Sequence, residues 1–169
     1  VTAEMFRKEG NIINNQERQF ITMLVQGTVR LSGRLDWELR HVFVGEFKDL
    51  KESLRILLRL GTYQLLYMNS VPDYAAVTTT VQLAKQIHVN LAGLTNALLR
   101  ALIKIEERNE PDEHTPISIL ADYLSHPEWL INKWIKDQNY KSAKGLAEWN
   151  NETPSLWFRV NCMNYSSTK

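Results

Sequence analysis

The chain has 169 residues, enough for one good hydrophobic core or for one core and a fragment of a second. At 44% hydrophobic and 23% charged it has an ordinary globular composition, and no apolar run approaches the roughly 18 residues needed to cross a bilayer. A net charge of +1 neither demands nor excludes nucleic acid, and one cysteine excludes an internal disulfide framework, which fits a reducing cytoplasm.

Helical periodicity dominates the chain. Asn14 with Glu17 three residues on has the form of a capping box. It opens a helix over 16–32, with Phe20, Leu24, Gly27 and Leu31 on one stripe. A second helix is predicted from Arg34 to about Val44, with Leu35, Leu39 and Val42 inward. Asp49 offers an N-cap to the next, whose stripe runs through Leu54, Leu57, Leu58, Gly61 and Leu65 to about Met68. Asn69-Ser70-Val71-Pro72 breaks the chain, because proline lacks an amide hydrogen and restrains the residue before it.

Helices resume within 73–88, with Val77, Val81, Ala84 and His88 aligned, and over 91–107, with Leu91, Leu94, Leu98, Leu102 and Ile105 on one face. Thr78–Thr80 is a poor helix former that packing must override. The charged stretch 106–115, with Pro111, reads as a linker. Ser125-His126-Pro127-Glu128 has the form of a second capping box, opening a helix through Trp129, Leu130, Trp134 and Ile135. A short helix is expected over 141–149. Leu156–Val160 then has the aromatic and β-branched character of a strand, with no partner to complete it. The expectation is an all-α bundle of about six to eight helices with a short C-terminal extended segment. It divides into a core over 1–110, a helical connector over 111–151 and a first-strand stub of another domain over 152–169. The chain opens on valine, without a signal segment, and its front end is expected to be trimmed.

Several ordered strings carry a family resemblance. LLRLGTYQLLY (57–67), VPDYAAVTTTVQLAK (71–85) and LTNALLR (94–100) follow FITMLVQGTVR (20–30) and Leu35-Asp36. Their order and separations resemble those of NusB-like domains. HPEWLINKW (126–134) and FRVN (158–161) resemble the connector of RsmB or Sun-type ribosomal RNA cytosine-5 methyltransferases. The chain is therefore identified as similar to the NusB-like N-terminal domain of such an enzyme. The family's usual first helix would have only Thr2–Lys8 to form it, and Thr78–Thr80 stands where the family has Asn-Glu-Ala. The resemblance implies an RNA-binding accessory module, with ribosomal RNA and a methyltransferase catalytic domain as partners and S-adenosylmethionine as the donor used by that other domain. A stand-alone NusB-type antitermination factor is a second reading, and a protein-interaction scaffold without RNA affinity a third. Homodimer formation stays open.

The residues themselves offer no catalytic centre. Cytosine-5 methylation in the family uses thiolates in Pro-Cys and Thr-Cys-like motifs, whereas Cys162 lies between Asn161 and Met163. No GxGxxG or P-loop is present, and His41, His88, His114 and His126 lack ligand-like spacing, so neither a cofactor nor a metal is expected in this chain. His88 reads as a core or boundary histidine. What remains is basic: Arg30, Arg34, Arg55, Arg59, Lys85, Arg100 and Lys104 are the candidate RNA contacts, with Arg40 and Arg108 nearby. Guanidinium forks suit phosphate. The competing reading is a solvated helix face with local ion pairs, and Arg59 in particular could hold helices together through a carboxylate. Trp129, Trp134 and Trp149 are expected to pack, and Trp157 and Phe158 to seal the bundle against the next domain.

Overall fold

The computed structural model describes residues 14–45, 47–87, 89–106, 108, 110–155 and 157–159. Thr2–Lys8, His88, Cys162 and the ends of the expected strand lie outside them. Among the described residues are eight α-helices and no strand: α1 (Asn15–Arg30), α2 (Ser32–Arg40), α3 (Glu52–Tyr67), α4 (Asp73–Ile87), α5 (Leu91–Ile103), α6 (Ile117–Leu124), α7 (Glu128–Asp137) and α8 (Tyr140–Asn151). The all-α expectation holds. So does the capping box at the start of α1, where Asn14 Oδ1 accepts from the Glu17 amide and Glu17 accepts from the Asn14 amide.

The hub is α2, only nine residues long. Its consecutive residues Leu35, Asp36, Trp37, Glu38 and Leu39 are all buried, because a different neighbour covers each side. Leu39 joins the main core with Phe47, Leu54, Leu58, Val77, Leu98, Leu99 and Leu102, drawn largely from α3, α4 and α5. Trp37 joins a second cluster with Leu120, Tyr123, Leu124, Ile131 and Ala147 of α6, α7 and α8. Leu35 joins a third, with Leu31, Tyr63 and Met68. Full burial of each such leucine contributes about 1.5–3 kcal/mol, so the two halves of the chain are held together across this one helix.

Small residues let the helices approach. A Cβ on Gly61 of α3 would lie 2.9 Å from Thr80 Oγ1 and 3.0 Å from Leu99 Cδ1. Thr80 is itself buried and donates its hydroxyl hydrogen to the Ala76 carbonyl at 2.7 Å, which is how a weak helix former is accommodated in α4.

The structure corrects three local expectations and adds detail to two others. The helix expected to start at Asp49 starts at Glu52 after the N-cap Lys51, because 47–49 is tied up in a short 3-10 turn. Segment 117–124, inside the connector expected to be helical but without a helix assigned to it, is α6 and supplies much of the second cluster. Ser125 does not open α7. It ends α6 in the left-handed region at φ 55°, and its Oγ accepts from the Arg34 amide at 2.8 Å. It thus caps α2, whose own N-cap Leu31 offers no side-chain acceptor. Trp134 packs as expected, but Trp129 and Trp149 are each 68% exposed. Residues 157–159 have no regular structure, and the rings of Trp157 and Phe158, expected to seal the bundle against a further domain, stand in solvent within this chain.

Candidate nucleic-acid interface

The two acids of α2 decide what several arginines can do. Asp36 accepts two parallel bonds from Arg59 of α3, from Nε and Nη2, both at 2.6 Å. That hydrogen-bonded carboxylate holds the Arg59 guanidinium above its ordinary pKa despite burial. Glu38, with 2% of its side chain exposed, is clamped from both sides: Oε1 accepts from Arg34 Nε at 3.0 Å and Oε2 from Arg108 Nε at 2.9 Å. Arg108 also donates to the Leu102 carbonyl of α5 at 3.3 Å, so the segment after α5 is tied both to that helix and, through Glu38, to α2. Exposed Arg40 pairs with Asp122, joining α2 to α6.

The seven candidate basic residues therefore separate into groups. Arg34 and Arg59 are committed to carboxylates, and for Arg59 this is the helix-joining alternative. Arg55 is half-buried, with Nε sealed from solvent and without a hydrogen-bond partner among the described residues. Lys85 and Lys104 are exposed, and Arg100 is exposed with its Nε donating to Asn96 Oδ1 at 3.0 Å. Arg30, in the last turn of α1, has Nε sealed and, among the described residues, unpartnered, while Nη1 makes a long 3.5 Å contact to the Glu152 carbonyl.

Arg30 and Arg34 are brought together on one cleft of about 370 Å³. Its walls are α1, α2 and α3 on one side and the α6–α8 extension on the other, with Tyr63, Tyr67, Tyr123 and Glu148 contributing side chains. The Arg34 guanidinium carbon sits 3.7 Å from the centre of the Tyr123 ring, a close cation–π stack. Burial pulls the Arg34 pKa down, but Tyr67, Tyr123 and Glu38 outweigh it and raise it overall. Tyr63 and Tyr67 stack with ring centres 5.4 Å apart and planes 20° from parallel. Tyr63 fits because its neighbour on α1 is Gly27, where an added Cβ would lie 2.0 Å from the Tyr63 ring. A second groove of about 380 Å³, lined by Arg18, Gln19, Thr22, Met23 and Gln26, continues along α1 and shares Arg30 and Thr153 with the first.

Sequence patterning alone does not single out the tyrosines. The available signal is the four-residue spacing of Tyr63 and Tyr67 in GTYQLLY, which puts both on one helical face. Tyr123 has no such signal, since it comes from the helix the pattern does not reveal. Among the described residues no group of histidines, cysteines and acids could hold a metal ion, and no helix is long and apolar enough to cross a membrane.

Comparison with known proteins bears on both walls of this cleft. The sequence model of the NusB family matches residues 2–104, and that of the methyltransferase RsmF/B-like ferredoxin-like domain matches residues 126–169. Among similar curated proteins, the probable ribosomal RNA small subunit methyltransferase B of Bacillus subtilis is 31% identical over 92% of this chain and 35% of its own length. Its counterpart in Synechocystis is 32% identical over 86% and 33%, and ribosomal RNA small subunit methyltransferase B of Pectobacterium atrosepticum 29% over 91% and 35%. The chain thus spans about a third of the length of the curated relatives it matches.

Proposed function

The chain belongs to the NusB family, and from that premise we propose that it is the RNA-engaging accessory module of a cytoplasmic ribosomal RNA cytosine-5 methyltransferase. One observation carries the reading. The Arg30–Arg34–tyrosine cleft is built jointly, by residues of the NusB-matching part and by Glu148, Asn151 and Thr153 of the part matching the RsmF/B-like model. A free-standing antitermination factor would have no use for a surface completed by a methyltransferase connector.

In this role the module contributes phosphate contacts and positioning. Lys85, Arg100 and Lys104 are its exposed cations, and Arg30, half-buried, lines the cleft. Arg34, Arg55 and Arg59 add positive potential from half-buried places. Methyl transfer from S-adenosylmethionine, and the extrusion of the target cytosine that it requires, fall to a catalytic domain outside these 169 residues. The boundaries near residues 110 and 151 belong to the same proposal.

The test is binding of this chain to a small-subunit ribosomal RNA fragment beside an unrelated RNA of equal length. Tighter binding to the ribosomal fragment supports a targeting module. Equal binding contradicts targeting, and no binding at low salt leaves the scaffold reading in its place.

A further inference from the structure

Resting on that RNA reading, we propose that the cleft of Arg30, Tyr63 and Tyr67 is a seat for one unpaired nucleotide of single-stranded RNA, its base stacked on Tyr67 and its phosphate turned toward Arg30.

The platform is already assembled. Tyr63 is buried, and Gly27 makes the space for its ring. Tyr67 stacks on it and keeps 41% of its surface exposed, so a base laid on the open face would extend an existing stack. No side chain must be ordered first, which lowers the entropic cost of binding. Base–aromatic stacking tolerates every base, because each has a π-face.

The size is appropriate to one nucleotide: about 370 Å³ lies near the lower end of small-ligand sites, which begin at roughly 300 Å³. The charges set the orientation. Arg34 commits its Nε to Glu38 and stacks its face on Tyr123, so it is held in place and contributes mainly positive potential. Arg30 is different, since its hydrogen bonding among the described residues is the long contact to a backbone carbonyl. Glu148 and Glu152 line the far wall and would repel a phosphate there. Those carboxylates can instead accept from a ribose hydroxyl or an exocyclic amine. A base inside a duplex has both faces covered and cannot use the platform, so the site selects unpaired RNA.

The groove along α1 gives the strand a way out. It meets the cleft at Arg30 and Thr153 and offers Gln19, Thr22 and Gln26, side chains that hydrogen-bond without repelling phosphate.

The experiment measures binding of the whole chain to a cytidine-containing RNA hexamer and to the same hexamer annealed to its complement. Tyr67→Leu, Tyr67→Phe and Arg30→Gln are tested in parallel, each with its helical content checked by circular dichroism. The expected result is preference for the single strand and a loss of about tenfold in Tyr67→Leu, at the modest end for stacking on one aromatic. Tyr67→Phe should keep wild-type affinity, and Arg30→Gln should weaken binding while lowering the salt slope by about 0.7, one phosphate's share. Equal affinity of Tyr67→Leu and wild type would overturn the proposal and assign the cleft to a protein neighbour. Should the wild type bind neither RNA, the broader RNA reading fails. The cleft is then judged by titrating cytidine monophosphate into the labelled chain: amide shifts at Arg30, Tyr67 and Thr153 uphold the seat, and their absence overturns it.

Discussion

Replacing Glu38 by alanine tests the central clamp. The carboxylate is almost wholly enclosed and accepts one charge-assisted hydrogen bond from Arg34 and one from Arg108, at 3.0 and 2.9 Å. Each such bond contributes about 1.5–3 kcal/mol, so a simple sum would reach roughly 3–6 kcal/mol. The sum is too large, because side chains of Arg34 and Arg108 are 20% and 30% exposed and water can replace part of what they lose. A loss of about 2–4 kcal/mol is expected, near the lower end for breaking a buried pair. Arg108→Ala removes one of the two bonds to Glu38 together with the longer bond to the Leu102 carbonyl, and should cost about half as much or slightly more. With Glu38 already gone, adding Arg108→Ala should cost less than it does alone, since the bond between the two is already lost and the Leu102 contact is what remains. The assay is urea unfolding followed by circular dichroism, with tryptophan fluorescence, to which buried Trp37 contributes, as a second probe of the same transition. A change under about 0.5 kcal/mol for Glu38→Ala, the range of ordinary surface substitutions, would refute the assignment of Glu38 as a buried clamp between α2 and the segment after α5.

Three further outcomes are expected from particular contacts. Gly33→Ala places a methyl 2.6 Å from the Asp122 carbonyl oxygen, backbone that cannot swing away, and should lower stability by about 1–3 kcal/mol; Gly93→Ala, with nothing within 4 Å, should raise it by about 0.5–1 kcal/mol. Thermal melts of the pair that move in the same direction would contradict this. Ser125→Ala deletes the acceptor for the Arg34 amide and should cost about 1 kcal/mol in urea unfolding; an unchanged midpoint would show that α2 needs no cap from the neighbouring turn. Burial pushes the Tyr67 and Tyr123 phenols above their ordinary 10.0, against the pull of Arg34. The folded chain therefore holds these protons more tightly than the unfolded chain, and this share of stability, complete below about pH 10, is lost as pH rises further. Tyr67→Phe should make the urea midpoint fall less steeply across that range, and an identical fall would count against the shift.

Periodicity makes most of the helices legible because each of α1, α3, α4 and α5 buries one face. Where that condition fails, sequence patterning fails too. Helix α2 is enclosed all round, so its LDWEL string shows no polar side, and nothing in the pattern reveals that Asp36 and Glu38 point inward at arginines from distant segments. Helix α6 is too short to establish a period and follows a charged linker. Ser125 is legible as a capping residue, but its partner is 91 positions away in the chain, and local spacing cannot show such a pairing. The candidate arginines are recognisable by type. Which of them remain accessible depends on those same hidden carboxylates.

The most direct test of the RNA-engaging role is the salt dependence of binding to a small-subunit ribosomal RNA fragment. Affinity should fall linearly on a double-logarithmic plot, with a slope of about −2 or steeper, as roughly three phosphate contacts at about −0.7 each would give on single-stranded RNA. A slope near zero, or no binding at low salt, would contradict that role.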